Sequence, residues 1–390
     1  MNSEEMEALT AEAACELNDL LRKSPKEKAK DLLKKAAGRG VRPDDPIFWP
    51  AGILLMGLAE SPAPAGRAAA EKYLSEWVKD RCRVLFPDDA LAGYAALRLY
   101  SSLGNGEEKE EMKKACDAVF SFLRETPKNS EGSIIYNPAR GNEYIYADGA
   151  GQTALFLSEY ARVFGNRESG DLAALQITNF LKHGIDDRTG LPYHAYDLSS
   201  GQCLGIIGWG RAAGWLLMGM AGILGDGKTA DHDAGLIRGI ERFRKDVLSL
   251  QRPDGLFSWE LNALKGHPDT SASGMIGWAL TKMYRSGDMD TAGKISMERS
   301  AEIPAEELSE KYVKRSEETS AEVPPAICPE KTKYALMRLS DALQREIKDG
   351  KVYSSSAECL DFGMYPQNYG NNAWGQGVVL AFFSALLTIV

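Results

Sequence analysis

The 390-residue sequence predicts an all-α protein of the (α/α)6 type, a barrel of six helical hairpins with short strands in the loops at a pocket mouth. Three observations carry that expectation. Six segments are apolar around most of their circumference, as helices buried on several sides are. Amphipathic segments lie between them, which suggests an outer ring wrapped round an inner one. The loops leading into the apolar segments are rich in Tyr, Asn, Gly and Asp and carry short strand-like pieces.

The apolar candidates, in chain order, are "FWPAGILLMGLAE" (48–60), "DDALAGYAALRLYSSLGN" (88–105), "ADGAGQTALFLSEYARVFGN" (147–166), "WGRAAGWLLMGMAGILGD" (209–226), "TSASGMIGWALTKMYRSGD" (270–288) and "NNAWGQGVVLAFFSALLTIV" (371–390). The one-sided candidates are 66–82, 108–125, 169–183, 232–250 and 330–347, with an N-terminal helix around 5–36 as the sixth. If each inner helix follows an outer one, all six inner helices run parallel and their N-termini gather at one end. Trp49, Asp88, Asp89, Asp148, Trp209, Arg211, Ser271 and Trp374 then meet around one mouth. The loops 132–146, 186–202 and 349–372 are placed to roof a polar site there. The charged stretch 290–330 reads as a poorly packed outer turn or a flexible excursion. The whole chain, 1–390, is expected to form one domain.

A formal net charge of −9 with no long Lys/Arg block argues against nucleic acid or an anionic membrane as partner. It leaves room for a small anionic ligand held by a local arginine. The start "MNSEEMEALTAEAACELNDLL" lacks the basic-then-apolar order of a secretory signal, and no apolar run reaches the ~18 residues of a spanning helix. A soluble, cytoplasmic protein is expected. Six scattered cysteines form no CxxC pair and read as plain thiols. Four histidines show no metal-ligand spacing, although His232 sits between Asp231 and Asp233, so neither metal nor cofactor is expected.

Among residues that could carry chemistry, Asp148 comes first. It precedes "GAGQTALFL" and reads either as an N-cap or as an acid. Asp88 and Asp89, after Pro87, carry the same two readings. Convergence of carboxylates at one mouth favours proton transfer. Arg211 and Trp215 are four residues apart and share a helical face. They are either a stabilising cation–π pair or an arginine held rigid to grip a carboxylate or hydroxyl pair. Trp49, Trp209 and Trp215 could be stacking faces for a sugar ring. His194, in "YHAYD", is a ligand contact or a loop anchor.

"WGRAAGW" resembles the WxRxxxW signature of the unsaturated uronyl hydrolases, glycoside hydrolase families 88 and 105. The pieces "FWPAGILLMGL", "DDALAG", "YADGAGQTALFLSEYA", "GLPYHAYD", "DGLFSWEL", "TSASGMIGWAL" and "WGQGVVLAF" follow the same order. The resemblance implies an (α/α)6 barrel that needs no metal and acts on the 4,5-unsaturated uronic acid left by polysaccharide lyases at a non-reducing end. By it, Asp148 is the general acid/base that protonates C4 and helps water add at C5. The hemiketal then opens and releases the remaining saccharide. Asp88 is the acidic residue of the preceding inner helix, with Asp89 the other register, and His194, Trp209, Arg211 and Trp215 are binding positions.

Departures from the pattern fall round the acid. Tyr136 stands where an aromatic-histidine pair is usual, and Gln152 replaces an apolar residue one turn on; both are kept as substrate-binding candidates. The partner so implied is a small acidic oligosaccharide, slightly favouring the rhamnogalacturonan type; oligomeric state is not readable. The rival readings are another (α/α)6 enzyme, an inverting glycosidase with two carboxylates or an epimerase with paired histidines, and a helical scaffold without chemistry.

Overall fold

The computed structural model describes residues 1–20, 45–225, 233–285, 329–360 and 362–389. Three sequence expectations fall wholly or mostly outside these residues: the second half of the N-terminal helix, His232 and the charged stretch 290–330.

Among the described residues there are twelve α-helices. Six form the outer set: α1 (Ser3–Leu20), α3 (Pro64–Lys79), α5 (Glu107–Glu125), α7 (Arg167–His183), α9 (Ala234–Leu248) and α11 (Pro329–Arg345). Six form the inner set: α2 (Trp49–Glu60), α4 (Ala90–Ser102), α6 (Ala147–Phe164), α8 (Gly210–Leu224), α10 (Thr270–Arg285) and α12 (Ala373–Leu386). The inner helices touch in the closed order α2–α4–α6–α8–α10–α12–α2, so the ring is complete. Every inner helix is preceded in the chain by an outer one, as the alternating pattern predicts. No helix of the described residues is long and apolar enough to cross a membrane.

The two rings are built on different physics. Outer α9 is amphipathic, burying Leu236, Ile237, Ile240, Phe243 and Val247 on one stripe. Its Asp233 N-cap accepts from the backbone N–H groups of Gly235 and Leu236 at 2.7 and 3.1 Å, a cap worth about 1 kcal/mol. Inner α2 buries every residue from Pro50 to Ala59. Such helices must pack on several sides, and glycines let them approach backbone to backbone. A Cβ on Gly57 would lie 2.3 Å from the Gly377 carbonyl oxygen, and one on Gly151 would lie 2.2 Å from that of Trp215. Neither contact can be relieved by turning a side chain.

The short strands sit where the loops predict them. β1 (Tyr144–Tyr146), β2 (Ala195–Asp197) and β3 (Gln202–Leu204) form an antiparallel sheet, with Tyr146 opposite Ala195 and Ala195 opposite Leu204. A hairpin pairs β4 (Ile347–Lys348) with β5 (Lys351–Val352), and β6 (Ser355–Ser356) pairs with β7 (Tyr369–Gly370) just before α12. The first sheet joins the start of α6 to the loop before α8, and the last pair reaches over the start of α10.

Candidate active site

A pocket of about 460 Å³ opens at the N-terminal end of the inner ring. Trp49, Asp88, Asp148, Trp209, Arg211 and Trp215 line it from the inner-helix starts, and Tyr136, Tyr146, His194 and Phe362 line it from the loops.

Asp148 lies within the first turn of α6, whose cap position is Tyr146, so the N-cap reading of this aspartate does not hold. The small sheet brings histidine to it. The backbone N–H of Ala147 donates to the His194 carbonyl at 2.9 Å, and the N–H of His194 donates to that of Leu204 at 3.0 Å. This backbone pairing sets His194 Nε2 3.3 Å from Asp148 Oδ2. On its other side, His194 Nδ1 is hydrogen-bonded to the Tyr365 hydroxyl at 2.9 Å. The imidazole also packs on Trp209, with ring centroids 4.4 Å apart. Gly205, at φ +82, makes this possible: a Cβ there would lie 2.5 Å from that of His194 and 2.7 Å from the Tyr365 hydroxyl.

The two adjacent aspartates divide their work. Pro87 opens a 3-10 turn over Pro87–Asp89, its fixed φ suiting a first helical position. Asp89 is fully buried, and its Oδ2 accepts from the N–H groups of Leu85 and Phe86 at 2.7 and 3.1 Å. Burial, then the neighbouring carboxylates of Asp88 and Asp45, push the Asp89 carboxyl well above the usual range, against the two backbone N–H bonds that lower it. Asp88 instead lines the pocket, and its Oδ2 accepts from the Tyr136 hydroxyl at 2.9 Å. The glycine after Asp148 makes room for that tyrosine. A Cβ on Gly149 would lie 2.6 Å from the Tyr136 ring, so this glycine is what admits the tyrosine.

Arg211 departs from expectation. Its guanidinium is 2% exposed, and Nη1 donates to the Ser356 carbonyl at 3.1 Å and to the Ser356 hydroxyl. Nη2 donates to the Ala357 carbonyl at 2.9 Å, and Asp269 Oδ2 lies 3.8 Å from Nη1. Among the described residues its aromatic partners are Trp209 at 4.7 Å and Trp374 at 5.6 Å, replacing the expected clamp by Trp215. Neither partner is on the face that four-residue spacing would choose, because the side chain leans back toward the turn before it and across to α12. Arg211 thus pins the β6 segment over the pocket while its ring-facing surface remains part of the lining.

Three other expectations are corrected. Gln152 is buried in α6 behind Asp148 and is not among the pocket-lining residues. Ser271 turns to Asp269, donating to its Oδ1 through both N–H and hydroxyl at 2.9 and 2.6 Å, so that Asp269 caps α10. Trp374 does not line the pocket either; it packs at a tilt on Trp49 with centroids 4.9 Å apart. Conversely, Phe86, Asn137, Arg140, Tyr146, Glu358, Cys359, Leu360 and Phe362 line the pocket without having been singled out. The aromatic and glycine richness of 132–146 and 349–372 marked these loops, but no local pattern marks which of their residues turn inward. Among the described residues no group of three or more His, Cys, Asp or Glu side chains is arranged to hold a metal ion.

Comparison with known proteins gives the same architecture. Residues 20–314 match the family described as Glycosyl Hydrolase Family 88. The chain is similar to the unsaturated rhamnogalacturonyl hydrolase YesR of Bacillus subtilis (strain 168), 24% identical over 373 residues, covering 93% of this chain and 95% of that protein. A possible member of the GH105 family from Klebsiella pneumoniae subsp. pneumoniae MGH 78578 superposes with TM-score 0.71 at 12% identity, over 100% of this chain and 94% of that one. The unsaturated glucuronyl hydrolase of Bacillus sp. GL1 superposes with TM-score 0.61 at 15% identity, over 87% and 86%. At such identities the superpositions speak for the helical-barrel fold alone.

Proposed function

The chain belongs to Glycosyl Hydrolase Family 88, and from that premise we propose that its pocket removes a 4,5-unsaturated uronic acid from the non-reducing end of lyase-generated oligosaccharides. It is a glycoside hydrolase; the reaction, the residue roles and the substrate preference are our reading. The observation that carries it is the contact of Asp148 with His194 inside a pocket walled by Trp49, Trp209 and Trp215.

Asp148 gives its proton to C4 of the enol ether, and the positive character left at C5 is quenched by water, whose proton returns to the carboxylate. The C5 hemiketal opens to a ketone, and the hemiacetal left at C1 expels the remaining saccharide. His194, bonded by Tyr365 on its far side, lies against Asp148 and fixes the carboxyl's direction. Asp88, oriented by the Tyr136 hydroxyl, holds a sugar hydroxyl or the attacking water. The indoles cover the ring faces and keep bulk water from the reacting carbons.

A rhamnogalacturonan-type substrate is favoured over a glucuronide, supported by the likeness to the rhamnogalacturonyl relative along nearly the full length of both chains. The test is a panel of lyase digests, from pectic and glycosaminoglycan polysaccharides, followed by the ultraviolet absorbance of the C4=C5 bond. Absorbance is expected to fall, fastest on the pectic digest. If it holds steady on every unsaturated substrate, the assignment is wrong.

A further inference from the structure

The pocket has to receive a carboxylate, and the arginine that the sequence offers for it is already engaged. Both terminal nitrogens of Arg211 donate to Ser356 or Ala357, and Asp269 lies beside them. Of the described residues that line the pocket, the other arginine is Arg140. It ends the 3-10 turn Pro138–Arg140, where the Arg140 N–H donates to the Asn137 carbonyl at 3.1 Å and fixes the turn. Its side chain is exposed, and among the described residues no carboxylate pairs with it. An arginine fork left open at a pocket wall is suited to a planar carboxylate. The other charges there are of the opposite kind. Asp88, Asp148 and Glu358 also line the pocket, and Glu358 likewise lacks an ion-pair partner among the described residues.

Resting on the reading above, we propose that Arg140 is the specificity-determining residue that receives the uronate carboxylate. The pocket is charged for one anionic group only. Arg140 meets the carboxylate, while a second anion on the same or the next sugar, such as a sulfate, meets Glu358 and the two aspartates. The substrate class is therefore an unsulfated unsaturated uronide whose next sugar is neutral. The carboxylate is attached to C5 but gains and loses no bond and keeps its charge through the reaction, so Arg140 holds it in ground and transition states alike and its contribution belongs in KM.

The experiment measures kcat and KM on a pair of unsaturated disaccharides that differ only in one sulfate, for the wild type, Arg140→Gln, Arg140→Lys and Glu358→Gln. In parallel, binding of the unsulfated disaccharide is measured by calorimetry in the Asp148→Asn background with and without Arg140→Gln. Wild type is expected to prefer the unsulfated disaccharide at least tenfold. Arg140→Gln should raise KM and Kd about 10- to 100-fold, the range for a charge-assisted bond, with kcat within threefold. Arg140→Lys should recover part of the loss, and Glu358→Gln should narrow the gap between the two substrates. Unchanged KM and Kd in Arg140→Gln, an effect confined to kcat, or equal handling of the sulfated disaccharide by wild type overturns the proposal. Should wild type turn over neither disaccharide, the function proposed above fails while the binding arm still judges Arg140.

Discussion

The two ends of the inner ring use the same kinds of side chain for opposite purposes. At the C-terminal end, Glu60 receives the Tyr94 hydroxyl at 2.6 Å, the Trp278 indole N–H at 2.7 Å and the Lys282 ammonium at 2.8 Å. Arg98 bridges it to Glu159, 3.2 Å from the latter. Apart from Tyr94, in the second turn of α4, these residues come from the later turns of α2, α4, α6 and α10, which places cations where the helix dipoles favour them. At the N-terminal end, Asp148 has one looser contact of 3.3 Å, and Arg140 and Glu358 have no ion-pair partner among the described residues. A floor whose charges are paired holds the barrel together; a mouth with unpaired ones is ready for a ligand.

The sharpest break between the two ends is Asp148→Asn. Activity on an unsaturated disaccharide should fall about a thousandfold, within the span for a lost acid–base group, while circular dichroism and unfolding midpoint stay near wild type. A variant that retains a tenth of wild-type kcat removes Asp148 from the reaction.

Glu60→Gln is the mirror-image test. Burial pushes the Glu60 carboxyl up, but Lys282 and Arg98 with the hydrogen bonds outweigh it and hold the group below its ordinary value. Burial also pulls the Lys282 ammonium down against the attraction of Glu60. Glu60 therefore governs acid behaviour. Its contribution is present above the unfolded glutamate value and is lost as pH falls through the lower folded one. Removing the charge leaves two cations facing each other, a loss of about 3 kcal/mol. Urea unfolding should show that loss at neutral pH, shrinking toward acid, with kcat of the folded enzyme unchanged. Equal stability of the two proteins at neutral pH would sink the idea that the floor is a keystone.

Tyr136→Phe sharpens the comparison at smaller scale. It deletes the 2.9 Å bond to Asp88 while keeping the ring that packs on Gly149. A five- to tenfold drop in kcat/KM is expected, about 1 kcal/mol, with stability little altered. No change in kcat/KM would mean that Asp88 needs no orienting.

What the sequence makes legible follows from distance along the chain. The six inner helices are readable because burial on all sides leaves an apolar run of helical length, and the outer ones because one stripe is apolar. Asp148, Trp209 and Trp215 are readable because each sits at the start of such a run. The contacts that decide roles are remote. His194 meets Tyr365 171 residues away, and Arg211 meets Ser356 145 residues away. Nothing near Arg211 announces that a later strand will occupy its donors, and nothing near Arg140 announces a pocket wall. Gln152 misleads for the reverse reason: a polar residue one turn past Asp148 is close in sequence, but the helix turns it inward.

The smallest effect tests a single step along the chain. Asp88 and Asp89 are chemically identical in sequence, and the turn points one at the pocket and the other at its own backbone. The Asp89 carboxyl is raised by burial and by its acidic neighbours, so the folded state holds its proton more tightly than the unfolded chain does. Its stabilising share is complete below the ordinary aspartate value and is lost as pH rises toward the folded one. Asn mimics the neutral acid and keeps an oxygen for the Leu85 and Phe86 amides. Asp89→Asn should therefore stay within about 0.5 kcal/mol of wild type near pH 5, the scale of a substitution that leaves its contacts intact. It should gain on wild type as pH rises to 8, with kcat within twofold throughout. Asp88→Asn should show the opposite pairing, a tenfold or greater loss of kcat with no such gain in stability. If the wild-type and Asp89→Asn unfolding curves keep the same spacing from pH 5 to 8, Asp89 is not the buried acid and the division between the two aspartates fails.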